Sequence, residues 1–238
     1  MTKPDILSIE STTKTARSAR VGWLCGSLQL APGRLSGHEV CPNRGHCFTT
    51  CLFYSGQGGL GQTQQTRIRR TKLLFENPRG FEYLLGEDIE QLIQQAEIKG
   101  LRPALRLNTF SDVPWEDVTP ELFKRYPDVQ FYDYTKTAAR WLRSLHPEAG
   151  AGWPRNYHLT YSWNEKSERE LELVSAGIKA GGSVTIVLRE NRNLPALLLD
   201  LPTADGDQHD ATFMHPPGSV IVLAPKGLAK TKRTEFIP

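Results

Sequence analysis

The sequence lacks any apolar run approaching the roughly 20 residues that a membrane-spanning helix needs. Its first five residues also lack the apolar core of a secretory signal. No sign of charge dominates, because a net charge of +3 is small for 238 residues and does not by itself suggest a nucleic-acid partner. These absences predict a cytoplasmic protein that does not associate with membranes. The length suits one large α/β domain or two small ones.

Cysteine is scarce, yet its distribution is uneven. Only four cysteines are present, and Cys41, Cys47 and Cys51 fall within eleven residues in the pattern C-x5-C-x3-C. Thiols stay reduced in the cytosol, so a close group of cysteines there more often binds metal than forms disulfides. A short loop with three thiolates can hold a [4Fe-4S] cluster and leave the fourth iron without a cysteine from the same loop. The spacing therefore predicts such a cluster.

Two other interpretations of the cysteine loop remain open. Zinc prefers four tetrahedral ligands, and His38, His46 or Cys25 could complete a site with the triplet. The loop could also form a disulfide or have no chemical role. Cys25 lies among apolar neighbours, which favours a buried core thiol over a ligand. The fourth ligand is therefore not fixed by the sequence.

Hydrophobic periodicity divides the chain into strands and helices that alternate. Residues 1–20 are polar and aperiodic and predict a flexible arm, residues 21–230 a single domain, and residues 231–238 a tail. Predicted strands follow near residues 21–35 and at 103–108, 129–134, 157–162, 183–188 and 219–223, with helices at 63–76, 81–100, 119–126, 137–145 and 167–180. This alternation predicts an α/β fold, a complete or partial TIM-like (β/α) barrel of mainly parallel strands. The cysteine loop, at residues 41–51, would lie at its C-terminal rim.

Polar side chains follow the predicted strands where each one ends, and this is the edge at which parallel barrels place their active sites. We predict four catalytic residues and six substrate-binding residues there. The catalytic set is Tyr134, Lys136, Asp133 and Glu165, and the set that binds a small anionic substrate is Arg106, Asn108, Asp112, Arg189, Lys226 and His209. A residue such as Asp112 or Ser162 could instead cap the following helix. Asp207 with His209 offers too few ligands to claim a second metal site.

Two further segments have alternative interpretations. Residues 55–61 contain four glycines and could cradle a phosphate, but a mobile lid or a glycine turn packed near the cluster is favoured, because the P-loop ending is absent. Residues 66–72 are locally basic and could contact nucleic acid or a host protein, although a solvated helix face is the simpler interpretation.

Several blocks of sequence resemble the gene-product-88 family of bacteriophage proteins. They include the cysteine loop through Leu52, residues 67–71, 106–116, 131–136, 156–160 and 205–210, and the resemblance covers roughly residues 28–228. It implies a phage accessory protein with a three-cysteine iron–sulfur loop, acting in the host cytoplasm, but no settled reaction. The first cysteine gap is one residue shorter than the family's pattern, and Cys25 lies outside the shared pattern.

These features predict an enzyme in which the open cluster iron acts as a Lewis acid, with hydrolysis of an ester or phosphoester as the simplest reaction. Arg106, Arg189 and Lys226 would bind the anion. One alternative is a radical S-adenosylmethionine-like enzyme, which the layout resembles although that family's loop is C-x3-C-x2-C. A second is a metal-bearing module that binds nucleic acid or a host protein without catalysis.

Overall fold

A computed structural model describes residues 5–146, 152–163, 168–189, 197–198 and 201–232. The strands are β1 (Leu7–Ile9), β2 (Trp23–Leu28), β3 (Arg102–Arg106), β4 (Gln130–Thr135), β5 (Tyr157–Ser162), β6 (Val184–Val187), β7 (Leu197–Leu198), β8 (Leu201–Asp205) and β9 (Val220–Leu223). The α-helices are α1 (Thr13–Arg17), α2 (Gly61–Glu76), α3 (Pro78–Ile98), α4 (Trp115–Val118), α5 (Pro120–Arg125), α6 (Ala138–Ser144) and α7 (Glu168–Lys179). None of these helices is long and apolar enough to span a bilayer.

The strands form one sheet in the order β1-β2-β3-β4-β5-β6-β9-β8-β7. Every pairing from β2 to β8 is parallel, whereas β1 and β7 pair antiparallel at the two edges. The parallel α/β prediction is therefore confirmed. Within the described residues the two edges do not pair with each other, so the sheet is open and the closed form of the predicted barrel is not observed.

Helix α3 covers the sheet, and its sequence determines where it begins, where it ends and which face it buries. Asn77 accepts a hydrogen bond from the Gly80 backbone at the helix start, and Pro78 occupies the first turn, where its missing N–H costs nothing. Apolar side chains recur on one face at helical spacing and are fully buried: Phe81, Leu85, Ile89, Leu92 and Ala96. Burying each larger one contributes about 1.5–3 kcal/mol. Gly100, with φ of +63°, ends the run.

The sheet has two different faces because side chains alternate along each strand. The face under the helices holds the main apolar core, which includes Leu24, Leu105 and Phe131. The opposite, interior face carries a small apolar cluster around Trp23 and Tyr132 and is otherwise polar. Cys25 belongs to this cluster and is fully buried, and burial raises its pKa to about 11. The prediction of a core thiol at Cys25 is confirmed.

Residues 5–20, which belong to the predicted flexible arm, contain strand β1 and helix α1. Strand β1 pairs with β2, and the backbone N–H groups of Ile6 and Leu7 donate to buried Asp88 at 2.6 and 2.9 Å. Strand β1 has three residues and helix α1 has five, which is too short for a hydrophobic period to appear in the sequence. Only the tertiary contacts reveal them. At the other end, residues 233–238 of the predicted tail lie outside the described residues.

Candidate cofactor and substrate site

The cysteine loop lies across the carboxyl ends of three strands. Cys41 Sγ is 3.2 Å from the carbonyl oxygen of Phe110, which follows β3. Asn43 donates to Thr137, just after β4, at 2.8 Å. The Leu228 backbone, after β9, donates to Ser55, four residues beyond the last of the three cysteines, at 3.4 Å. The loop therefore occupies the rim at which the sequence placed it.

The three thiols of the loop form no disulfide and are half-buried. Burial, reinforced by the charges of their sulfur neighbours, raises the pKa of Cys41 to about 12 and that of Cys51 to about 11. Burial raises the pKa of Cys47 as well, although the nearby Lys136 ammonium opposes this. Thiolates in such surroundings need a compensating positive charge, which a bound metal centre supplies. The donor set therefore fits a thiolate-ligated metal centre.

The arrangement of the thiols bears on which metal centre would fit. Within the described residues, no three His, Cys, Asp or Glu side chains converge closely enough to hold one metal ion. Each thiolate of an iron–sulfur cluster instead binds a different iron, so the sulfurs of such a site stand apart around the cluster. The three loop thiols fit a cluster by their chemistry.

Lys136 lies near the loop, because its charge acts on Cys47. Its ammonium donates to the Ser162 hydroxyl at 3.2 Å and to the Ser162 carbonyl at 3.3 Å, which joins the ends of β4 and β5. The same ammonium acts on the Cys47 thiol. A cation between the loop and the strand ends is placed to meet negative charge on a substrate or on the thiolates.

Below Lys136, the interior face holds a group of charged side chains. Arg106 stacks on the Tyr134 ring, with its guanidinium carbon 4.7 Å from the ring centroid, and lies 3.4 Å from Asp210. Lys14, from α1, lies 3.2 Å from Asp210 and donates to the Tyr134 hydroxyl at 3.3 Å. Burial alone would raise the pKa of Asp210, but Lys14 and Arg106 hold it well below its usual range.

Sequence reasoning missed Lys14 and gave Asp210 no role, although both contact predicted site residues. Lys14 belonged to a segment that was predicted to be flexible, and the sequence offers no local signal for it. Asp210 stands in an acidic run beside His209 and was visible as part of that run. The interior position of both follows from α1 and from the loop after β8, which cover the open side of the sheet.

Asp133 and Asn108 do not face this interior. Asp133 is fully buried beneath the helices, where it accepts from Asn108 and, at 2.6 Å, from the Tyr157 hydroxyl. Burial raises the Asp133 pKa to about 7. Asn108 holds the turn after β3 by accepting hydrogen bonds from the Val113 backbone and Trp115. Both residues therefore lie on the face of the sheet that the helices cover, whereas Tyr134 lies on the opposite face.

Asp112 also acts through the backbone. It accepts from the Lys136 N–H at 2.9 Å and from Arg140 at 2.9 Å, so it fixes the end of β4 below the cysteine loop. This resembles the capping alternative more than direct contact with a substrate.

Among the remaining predicted residues, Arg189 and Lys226 have partners outside the group around Arg106 and Lys136, whereas His209 lies near Lys14 and Asp210, whose charges act on its ring. Arg189 donates to the carbonyl oxygens of Lys230 and Lys232. Lys226 pairs with Asp207 at 2.7 Å and is 46% exposed. His209 stacks on His215 with ring centroids 4.8 Å apart. Glu165 lies outside the described residues.

The family model described as Gene product 88 matches residues 6–237, which is nearly the whole chain. The chain belongs to the gene product 88 family. Among curated proteins and among solved structures, nothing matches it. The family assignment that the sequence suggested is therefore confirmed.

In this gene product 88 protein, the glycine segment forms a tight turn beside the cysteine loop. A side chain at Gly58 would lie 3.1 Å from the Leu52 carbonyl oxygen and 3.2 Å from Arg67. Arg67 is buried against Phe110, and Arg70 donates to the Asp5 carbonyl. The turn that packs near the loop is thus observed, and two of the basic charges proposed for nucleic acid are already engaged.

A buried histidine gives this family member a testable pH dependence. Burial lowers the pKa of His158 to about 4, so the unfolded chain binds a proton there that the folded chain does not. Stability from this residue is present above the unfolded pKa of about 6.5 and is lost as pH falls towards 4. As the pH falls from 6.5 to 4, the native chain should lose about 3 kcal/mol of unfolding free energy through this residue. His158→Gln should not show this loss.

Urea unfolding at several pH values measures this change. His146→Gln is the matched control, because it makes the same substitution at an exposed histidine outside the core. Parallel profiles for the native chain and His158→Gln would contradict the prediction.

Proposed function

We propose that this protein is an enzyme that binds a [4Fe-4S] cluster through Cys41, Cys47 and Cys51 and acts on a small anionic substrate beneath it. The observation that carries the proposal is the position of the loop over the carboxyl ends of parallel strands, next to Lys136. When bound, such a cluster supplies a Lewis-acidic iron or, once reduced, a single electron.

The side chains of the interior face would bind the substrate, stabilise negative charge and donate a proton. Arg106 is placed to hold the anionic group of the substrate by charge-assisted hydrogen bonds. Lys136, held by Ser162, is placed to stabilise negative charge that develops on a substrate oxygen. Tyr134 carries a hydroxyl that accepts a hydrogen bond from Lys14 and can donate its own proton to a leaving group.

Hydrolysis of an ester or phosphoester is the first candidate reaction. It requires only water as co-substrate, a polarised oxygen and a group that protonates the leaving oxygen. Tyr134 is the penultimate residue of β4 and Lys136 follows the strand directly, so both lie at its carboxyl end, where they can reach one substrate. Asp133, which was expected to move protons, is committed to Asn108 and Tyr157.

Reductive cleavage of S-adenosylmethionine is the second candidate, and the open sheet favours it. Strands β2, β3, β4, β5, β6 and β9 are parallel neighbours in chain order, and the cysteine loop follows the first of them. This layout looks like that of radical S-adenosylmethionine enzymes. The C-x5-C-x3-C spacing departs from theirs. The carboxylate of that substrate would be the anion held by Arg106.

Two assays on anaerobically reconstituted protein test the proposal. The first follows generic ester and phosphoester substrates, and the second follows 5′-deoxyadenosine after S-adenosylmethionine and reductant are added. We expect product in one assay and a rate at least roughly 100-fold lower for Lys136→Met, the size seen when one charge-stabilising donor is removed. Lys72→Met, an exposed change on α2, should keep the native rate.

Product in neither assay, from protein with an intact cluster, would refute both candidate reactions. Activity that persists after the cluster is removed would refute the role of the metal centre.

A further inference from the structure

The charged group on the interior face carries more positive charge than its own carboxylate can balance. Lys14 and Arg106 both approach one oxygen of Asp210, Oδ1, at 3.2 and 3.4 Å. The other oxygen, Oδ2, accepts from the Tyr132 hydroxyl at 3.0 Å. Two cations therefore share a single carboxylate oxygen, and one positive charge remains in excess.

This excess charge is largely shielded from water. The side chains of Lys14 and Arg106 are only 15% and 17% exposed, and Asp210 is 4% exposed. Within the described residues, the buried Nε of Arg106 has no hydrogen-bond partner. An uncompensated charge and an unpaired donor in such surroundings are costly, so the site favours an anion that supplies both.

Within the described residues, Lys14 and Arg106 form ion pairs with no carboxylate other than Asp210. Asp133 lies on the opposite face of the sheet, with Asn108 and Tyr157 as partners, and acts on Arg106 only at a distance. Asp205 accepts from the Asp207 backbone at 2.8 Å. Burial lowers the pKa of His209 and of His215, so both rings are neutral at pH 7.

The position of the site connects it to the cysteine loop. Tyr134, whose ring lies beside the Lys14 ammonium and the Arg106 guanidinium, is the penultimate residue of β4, and Lys136 follows the last residue of that strand. Two residues of extended chain span at most roughly 7 Å, so the backbones of Tyr134 and Lys136 lie within about that distance of each other. A small molecule can therefore place one end beside Lys136 and the other at the excess charge.

We propose that Lys14, Arg106 and Tyr134 form a subsite for the carboxylate group of the substrate, with Asp210 setting its preference for a single negative charge. This inference rests on the proposed function, because it names the anion that the interior binds. One added negative charge neutralises the site, whereas a sulfate or a phosphate dianion leaves an excess negative charge in a poorly hydrated interior. Helix α1 thereby becomes part of the substrate site.

Binding of acetate tests the subsite without a known substrate. Saturation-transfer NMR of the acetate methyl group on the full chain gives a dissociation constant, and formate and sulfate are compared as competitors at equal ionic strength. We expect acetate to bind the native chain, formate to displace it and sulfate to fail. Lys14→Met should weaken acetate binding roughly tenfold or more, as expected for loss of a charged hydrogen bond.

Two further variants sharpen the test. Lys99→Met removes an exposed lysine that pairs with Glu10 and should leave acetate binding unchanged. Asp210→Asn removes the internal counter-charge, so sulfate should then compete with acetate. Absence of acetate binding to the native chain, or displacement by sulfate as effective as by formate, would overturn the proposal even if no variant folds.

The carboxylate subsite and the proposed cofactor can be refuted independently of each other. Acetate binding needs neither the cluster nor turnover, so its absence in protein that holds the cluster and turns over substrate refutes the subsite alone. Acetate binding by protein that takes up no iron supports the subsite and refutes the proposed cofactor.

Discussion

Replacing Cys47 with serine is expected to abolish cluster binding. After anaerobic reconstitution, the bound iron and sulfide should fall to the background level of protein that holds no cluster. The [4Fe-4S] cluster that we propose has only three thiolates in its loop, and a serine hydroxyl remains protonated where the thiol would ionise on a metal. Cys41→Ser and Cys51→Ser should behave in the same way. Iron and sulfide analysis together with the visible absorbance of each variant measures the effect.

Cys25→Ala is the matched control for these three variants. Cys25 is fully buried among apolar side chains on the interior face, away from the loop, so the variant should bind as much iron as the native chain. An equal loss of iron in Cys25→Ala, or a colourless native protein that contains zinc, would contradict the assignment of the three loop cysteines.

The second large effect is expected on stability. Arg140 is buried and donates to Glu116 through two nitrogens, each at 2.7 Å, to Asp112 at 2.9 Å and to the Tyr157 hydroxyl at 2.7 Å. Arg140→Leu would leave two buried carboxylates without their main cation. We expect the free energy of unfolding to fall by about 3–5 kcal/mol, the usual cost of removing one partner from a buried ion pair.

Urea unfolding measures this change, and Lys124→Met provides the comparison. Lys124 pairs with Glu121 at 2.7 Å on an exposed helix surface, so its removal should cost less than about 1 kcal/mol. Adding Glu116→Gln to Arg140→Leu should restore part of the lost stability, because one stranded charge is removed. Equal effects of Arg140→Leu and Lys124→Met would show that the buried network does not stabilise the fold.

The location of the cysteine loop could be predicted from sequence because it depends on local order along the chain. Cys41 follows a strand, and the loops that follow parallel strands open on one edge of the sheet. The same rule correctly placed Lys136 beside that edge. Helix α3 was equally predictable, since its apolar residues repeat at a spacing that only a helix turns to one side.

The division of residues between the two faces was not predictable in the same way. Asp133 and Tyr134 are neighbours in sequence, and both were assigned to the site, but alternation along β4 directs them to opposite sides. Which side faces the helices depends on the packing of α3 and α6 against the sheet. That information is spread over contacts between residues far apart in the chain.

What the sequence alone determined is the set of possible cofactor ligands, the parallel α/β class and the family. Each of these is written in residue types and short spacings. The tertiary structure alone decided that the sheet stays open, that residues 5–20 contain β1 and α1, and that Lys14 reaches Asp210 across nearly two hundred residues of chain. These features depend on contacts between residues far apart in the sequence. A short segment takes its structure from the surface against which it packs, and the local sequence pattern does not specify that surface.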